Sequence, residues 1–202
     1  MSNIGIIILA AGKSQRLGSP KQLLKIAGKS LIQHIVGIAE SSNYTPIVTV
    51  LGSDFELIKK EIENFSVNTV YNPNWEKGMG TSISKGVEEI QKRNPNLNAV
   101  IILLVDQPML KVSLLNDLVK IYKHENKKII ASKYDETVGV PALFDKTTFE
   151  ALVSLDGKKG AKKVIQNFNE KEQVAFIDFP EGRFDLDTPS DYERFLDKFG
   201  EK

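Results

Sequence analysis

The chain has 202 residues, with 27 Lys and Arg against 26 Asp and Glu and a formal net charge of +1. That length suits one domain with a full core, and the charge balance gives no general reason to expect a nucleic acid or an anionic membrane surface as partner. There is no cysteine, which excludes disulfides, thiol nucleophiles and Cys-ligated zinc or iron–sulfur sites.

The first element is the apolar run Ile4-Gly5-Ile6-Ile7-Ile8, which reads as a buried parallel strand over 4–10. It opens into Leu9-Ala10-Ala11-Gly12-Lys13-Ser14-Gln15-Arg16-Leu17-Gly18-Ser19-Pro20-Lys21, rich in small residues and carrying the cations Lys13, Arg16 and Lys21. Such a loop sets backbone N–H groups beside fixed positive charge, the physical recipe for holding a polyphosphate. It is not a Walker A loop. The first glycine that Gly12-Lys13-Ser14 would need falls at Ile7, and Gly28-Lys29-Ser30 fails likewise at Leu23. There is no GxGxxG either.

A helix is expected over 30–40, a strand over 47–51, a helix over 54–64 and a strand over 68–71. Asn72-Pro73-Asn74-Trp75 then leads to Gly78-Met79-Gly80-Thr81-Ser82, which opens a helix over 81–92. Its first N–H groups are donors for an anion or a ribose hydroxyl, or simply a helix start. Trp75 suits stacking on a ligand ring or packing equally well. The strand over 99–105 is the most apolar of the chain, and Asp106-Gln107-Pro108 ends it. A carboxylate there is well placed for a metal; a turn before Pro108 is the plain alternative.

A helix over 113–124 and a strand over 128–132 follow, and 138–144 is extended. Pro141 argues for an edge or irregular strand there rather than a central one. Helices over 147–154 and 161–167 precede a strand over 174–178. Phe184-Asp185-Leu186-Asp187-Thr188-Pro189 then brings two carboxylates to the start of a helix over 189–198, with Thr188 as N-cap and Pro189 as first helical residue. His34 lies in an apolar helix and His124 ends a Lys-rich one; both read as structural or surface residues. The alternation implies a three-layer α/β/α domain over 1–202 with a mostly parallel sheet. In such a sheet, ligands bind outside the carboxyl ends of the strands. No apolar run approaches the ~20 residues of a membrane helix, and no basic segment precedes a long apolar core. A soluble cytoplasmic protein without a membrane partner is expected.

Leu9-Ala10-Ala11-Gly12-x-Ser14-x-Arg16-x-Gly18-x-x-Lys21 resembles the signature of the nucleotidyltransferases that act on the molybdenum cofactor, and among them most nearly the cytidylyltransferases. The likeness continues along the chain. Lys21-Gln22-Leu23-Leu24 resembles the family's passage into its first helix, and Asn72-Pro73-Asn74-Trp75 with Gly78-Met79 and Ser82 its second loop. Asp106-Gln107-Pro108 resembles its metal-binding strand end, and Gly139-x-Pro141-x-Leu143-Phe144 its Gly-His-Pro segment near the acceptor. Asp185-x-Asp187-Thr188-Pro189 resembles its C-terminal Asp-Thr-Pro motif. Two segments depart from the pattern: Val140 replaces the usual His, and Gly157-Lys158-Lys159-Gly160-Ala161-Lys162 replaces Gly-Asp-x-Gly-Ala-Arg.

The resemblance implies a Rossmann-like nucleotidyltransferase fold. It implies that Leu9, Ala10, Ala11, Gly12, Lys13, Ser14, Arg16 and Lys21, with Gly78 and Ser82, bind a nucleoside triphosphate. Arg16, Lys21 and Asp106 would be catalytic, Asp106 and Asp187 would hold Mg²⁺, and Gly139 and Pro141 would meet the acceptor. CTP is favoured because Ala11 stands where the guanylyltransferases usually carry glycine; the added methyl narrows the space for a purine by an amount worth ~1–3 kcal/mol. Molybdopterin is the expected acceptor, with transient contact to a molybdoenzyme or its chaperone. The alternatives are GTP as donor, a sugar phosphate as acceptor, or a non-catalytic delivery protein. Lys158, Lys159 and Lys162 suit an anionic acceptor or a solvated helix start.

Overall fold

A computed structural model describes residues 3–14, 16–157 and 159–199. A seven-stranded sheet forms its centre. In chain order the strands are β1 (Ile4–Ala10), β4 (Ile47–Leu51), β5 (Asn68–Tyr71), β6 (Ala99–Leu104), β7 (Ile129–Tyr134), β8 (Thr137–Asp145) and β9 (Val174–Asp178). Their spatial order is β5-β4-β1-β6-β8-β7-β9. β1 pairs in parallel with β4 (Ile6 to Ala10 on Ile47 to Leu51) and with β6 (Ile4 to Leu9 on Ala99 to Leu104). Every residue of β1 is buried, as expected of a strand covered on both faces.

The period of two along β1 divides the core. Ile4, Ile6 and Ile8 face one layer with α1 (Leu31–Ser41), α2 (Phe55–Glu61), α4 (Val112–His124) and α7 (Pro189–Phe199). Ile7 and Leu9 face the other with α3 (Met79–Arg93), α5 (Phe149–Val153) and α6 (Ala161–Asn169). This is the expected three-layer α/β/α arrangement. α3 lies unusually close to the sheet: a Cβ on Gly86 would stand 2.6 Å from Ile7 Cγ2 and 3.0 Å from Val50 Cγ2. That approach fixes where the first turn of α3 reaches over the ends of β1 and β4.

Two features depart from the sequence reading. β8 is an interior strand, antiparallel to both β6 and β7, not an edge. Proline is tolerated there because the pairing is irregular around it. The register jumps from Ala131–Ala142 to Ser132–Gly139, and pairing with β6 stops at Ile102–Ala142, so no ladder partner needs the missing N–H. The second is an unforeseen ribbon of β2 (Lys25–Ile26) and β3 (Lys29–Ser30), turned through Ala27 (φ 47°) and Gly28 (φ 77°). Ser30 then caps α1 reciprocally with Gln33. Among the described residues, no helix is long and apolar enough to cross a membrane.

The chain runs from β1 outward through β4 to β5, then crosses back to place β6 on the other side of β1. The carboxyl ends of β1 and β6 are therefore the switch point of the sheet, where a crevice opens.

Candidate active site

The loop after β1 is shaped from within. Gln22, 1% exposed, donates from Nε2 to Ala10 O at 2.9 Å and to Gly12 O at 3.0 Å. Lys21 N donates to Ser14 Oγ at 2.8 Å, and Leu17 N to Ser14 O at 3.0 Å. These bonds fold the described part of the loop back on itself, and the Lys21 side chain reaches the end of β6. In the sequence Gln22 enters only as part of the Lys21-Gln22-Leu23-Leu24 segment, with no role of its own.

At that point three segments converge. Lys21 Nζ lies 2.5 Å from Asp106 Oδ2 and 2.9 Å from Asp187 Oδ1, while Arg16 Nη2 lies 2.8 Å from Asp187 Oδ2. Asp187 is brought in because Leu186 N donates to the Asp106 carbonyl at 3.2 Å, tying the C-terminal loop to the end of β6. The Lys21 and Asp106 side chains are 15% and 18% exposed, against 67% for Arg16 and 39% for Asp187. Lys21, Arg16, Asp106 and Asp187, far apart in sequence, thus form one cluster.

Burial works against the Lys21 charge, but Asp106 and Asp187 outweigh it and hold the ammonium above its usual range. Burial pushes the Asp187 carboxyl up, and Lys21 and Arg16 outweigh it, so Asp187 titrates below the carboxylate range. Asp185 is different: burial among protein atoms, then Asp106 and Asp187, push it up to about 7. Water still reaches Asp185, which screens part of that effect.

Asp106 Oδ1 is buried and has no hydrogen-bond partner. A buried carboxylate oxygen left bare beside a second carboxylate suits a hard cation such as Mg²⁺ or Mn²⁺. Among the described residues no group of three or more His, Cys, Asp or Glu forms a metal-holding set. Asp106 and Asp187 would therefore supply two oxygens, leaving the rest to phosphates and water, the company magnesium prefers.

Beside this cluster lies a cavity of about 300 Å³. Leu9, Ala10, Ala11, Gly12 and Lys13 contribute backbone and small side chains, Trp75, Gly78, Met79 and Ser82 come from the start of α3, and Lys21 and Asp106 stand at its lining. Trp75 packs closely on Gly52, where an added Cβ would fall 2.6 Å from Trp75 Cγ, and it also lines the cavity. The α3 terminus is less open than its sequence suggests. Gly80 N donates to Gly157 O at 2.9 Å, Thr81 N to Gly78 O at 3.2 Å, and Ser82 Oγ accepts from Asn72 Nδ2 at 3.0 Å. Those groups are taken inside the protein, leaving Gly78 and Ser82 as wall.

The acceptor-side expectations fare differently. Gly139 and Pro141 are both buried and line neither this cavity nor any other described here. A Cβ on Gly139 would meet Tyr134 Oη at 2.9 Å. Their strand instead supports the site from behind, since Gln107 Nε2 donates to Val140 O at 3.2 Å. Gly157 and Lys159 pack on the start of α3, where their carbonyl oxygens would stand 2.8 and 2.5 Å from a Cβ on Gly80. Neither lines the cavity; Lys159 and Lys162 are exposed, and Lys158 lies outside the described residues. His34 Nε2 pairs with Pro108 O at 2.9 Å, a structural role.

Residues 6–174 match the family described as the MobA-like NTP transferase domain. The purine catabolism protein PucB of Bacillus subtilis is 27% identical over 204 residues, covering 93% of both chains. The bifunctional protein GlmU of Legionella pneumophila is 27% identical over 175 residues, 83% of this chain but 37% of that protein, so this chain spans well under half of it. Crystal structures of Rv0371c from Mycobacterium tuberculosis, alone and in complex with manganese, are 24% and 23% identical. Each covers 97% of this chain and 99% of that one, with TM-scores of 0.80 and 0.77, and so shares the fold. With the family match running from β1 to the first residue of β9, the chain belongs to the MobA-like NTP transferases, a family of nucleotidyltransferases.

Proposed function

We propose that this chain is a Mg²⁺-dependent cytidylyltransferase that moves CMP from CTP to the terminal phosphate of molybdopterin. The observation that carries the reading is Lys21, clamped between Asp106 and Asp187 beside a cavity walled by residues 9–13. The backbone of that loop, with Lys13 and Arg16, would hold the β- and γ-phosphates. Lys21 would reach the α-phosphate. An oxygen of the acceptor phosphate attacks the α-phosphorus, forming a new P–O–P linkage, and the bond to the β-phosphate oxygen breaks, so that pyrophosphate leaves in line. A phosphate monoester is largely dianionic near neutrality, with a second pKa of ~6, and needs no general base. Asp106 and Asp187 would hold the divalent ion, which supplies Lewis acidity and a template when bound. The manganese in the Rv0371c complex supports a divalent ion in this fold.

Lys21 has a further task that its geometry suggests. It serves as counter-cation to two carboxylates, so it exchanges a carboxylate for the incoming α-phosphate without losing an anionic partner. That is preorganised electrostatic stabilisation, the main means by which such transfers are accelerated. Ala11, lining the cavity, supports CTP over GTP.

A thermal-shift panel of CTP, GTP, ATP and UTP, each with and without Mg²⁺, tests the reading. A CTP-selective, Mg²⁺-dependent rise is expected, since a ligand at 100 times its Kd stabilises by ~2.7 kcal/mol. No shift with any nucleotide would sink it. A second reading, a sugar phosphate as acceptor, is favoured by the burial of Gly139 and Pro141, the segment that resembles the molybdopterin side of the family. Pyrophosphate release from CTP with molybdopterin, compared with a hexose 1-phosphate, separates the two.

A further inference from the structure

Asp187 reaches the site on a segment to which the helix behind it adds little anchorage. Among the described residues of α7, Phe195 alone is buried. The Asp187 side chain is itself 39% exposed, so packing does not fix it. The approach of residues 182–187 is set by the two residues that follow β6. Leu186, buried, donates its N–H to Asp106 O at 3.2 Å, and Gln107 Nε2 donates to Gly182 O at 3.3 Å. We infer that Gln107 is a positioning residue: its amide staples residues 182–187 to the ends of β6 and β8, and so keeps the Asp187 carboxylate across Lys21 from Asp106. The inference rests on the reading of Asp106 and Asp187 as the pair that holds the divalent ion, and adds the residue that sets one of them in place.

The surroundings of Gln107 call for this side chain. It is 1% exposed. Its second acceptor, Val140 O at 3.2 Å, lies in the break of the β8 ladder, between the pairings of Gly139 and Ala142. Both partners are carbonyls, so the amide nitrogen must face them, and it carries one hydrogen for each. A Lys or Arg there would bury a charge, and a carboxylate would bring no donor. Asn has the same donors on a shorter stem. The orientation leaves Gln107 Oε1 buried and without a partner. An unpaired acceptor is costly, and here it accompanies the two bonds that join β8 to the C-terminal segment.

Gly182 completes the fit. A Cβ at that position would stand 2.6 Å from Phe179 Cδ1 and 2.9 Å from Tyr134 Cδ1, so the backbone comes this close to Gln107 only without a side chain. Gly182 N donates to Phe179 O at 2.9 Å, and Phe179 N to Lys133 O at 2.8 Å, which ties the preceding turn to β7. From the rigid sheet the support therefore runs through Gln107 and Gly182 to Asp187. Groups that orient a metal ligand from behind are typically worth 10- to 100-fold in metal affinity.

Mn²⁺ titration of the full chain by spin resonance, without nucleotide and well below each variant's melting temperature, tests the role. Gln107→Met, which keeps the bulk and removes the donors, should weaken Mn²⁺ about 10-fold. Gly182→Ala, which displaces the carbonyl and leaves residue 107 intact, should weaken it in the same direction. Gln107→Met combined with Asp187→Ala should bind no more weakly than Asp187→Ala alone, because both act through one carboxylate. Tyr122→Phe, destabilising at the opposite end of the sheet, should bind as the wild type does. Wild-type affinity in Gln107→Met would overturn the inference, as would losses that multiply in the double variant or an equal loss in Tyr122→Phe. Failure of the wild type to bind Mn²⁺ at all would instead overturn the metal-holding pair itself, and the inference with it.

Discussion

Asp106 and Asp145 stand at opposite ends of β6 with similar side-chain exposure, 18% and 11%. The protein treats them in opposite ways. Asp145 is surrounded by neutral donors: Thr147 N at 2.9 Å, Thr147 Oγ1 at 2.6 Å and Tyr122 Oη at 2.6 Å, with Lys128 at 4.0 Å. Burial pushes its carboxyl up, but the bonds from Thr147 and Tyr122 and the charge of Lys128 outweigh it, so Asp145 titrates below its usual range. Burial and the same carboxylate push the Tyr122 hydroxyl up. Asp106 has one oxygen on Lys21 and the other bare. A satisfied carboxylate holds structure in place, whereas a half-satisfied one keeps the capacity to bind something else. The edge of the sheet beside Ala99 is built for stability and the edge beyond Leu104 for chemistry.

The comparison is broken most sharply at Asp106. Asp106→Ala is expected to cut Mg²⁺-dependent pyrophosphate release by about 10³-fold or more, from the loss of metal-assisted charge stabilisation. Its melting temperature should stay near the wild-type value, and a wild-type rate would remove Asp106 from the mechanism. Lys21→Ala should lower turnover by about 10²-fold. Without nucleotide, it should bind Mn²⁺ more tightly than the wild type in a spin-resonance titration, because two carboxylates lose their counter-cation. Weaker Mn²⁺ binding would contradict the counter-cation role.

At the other end the effects reverse. Asp145→Asn should lower the unfolding free energy by ~1–3 kcal/mol, the range for bonds to a charged group, and leave kcat/KM unchanged. Tyr122→Phe should cost ~1 kcal/mol in the same denaturant titration. The pH dependence follows from the depressed Asp145 value. The ionised native form is favoured over the unfolded one, so the contribution is complete above the unfolded carboxylate value of about 4. It is lost as pH falls through the lower folded value. The gap between wild type and Asp145→Asn should therefore narrow in strong acid; a gap that widens there would refute the assignment.

Much of this was legible in the residues. The apolar runs of β1 and β6 mark themselves out, because a strand buried on both faces is near-continuously apolar. Asp106 announced itself by ending such a run. Of the two alternatives Pro141 offered, an edge or an irregular strand, the second holds: β8 is interior, and the β7–β8 register shift removes the demand for its N–H. The role of Gln22 was not legible, because it lies in bonds to Ala10 and Gly12 that exist only after the loop has folded back.

The sequence by itself determined the alternation of elements, the small-residue loop with its cations, and which carboxylates end strands or precede helices, because periodicity and turn chemistry are local properties. Tertiary structure alone decided that Lys21 sits between Asp106 and Asp187, residues 85 and 166 positions away, and that Asp145 is satisfied where Asp106 is not. It also decided that the Gly157 carbonyl takes the Gly80 N–H at the start of α3 and that α7 and residues 183–186 enclose a second cavity. Those outcomes depend on strand order and on the switch at β1 and β6. They are set by how whole layers bury their apolar faces, which no short stretch of chain encodes.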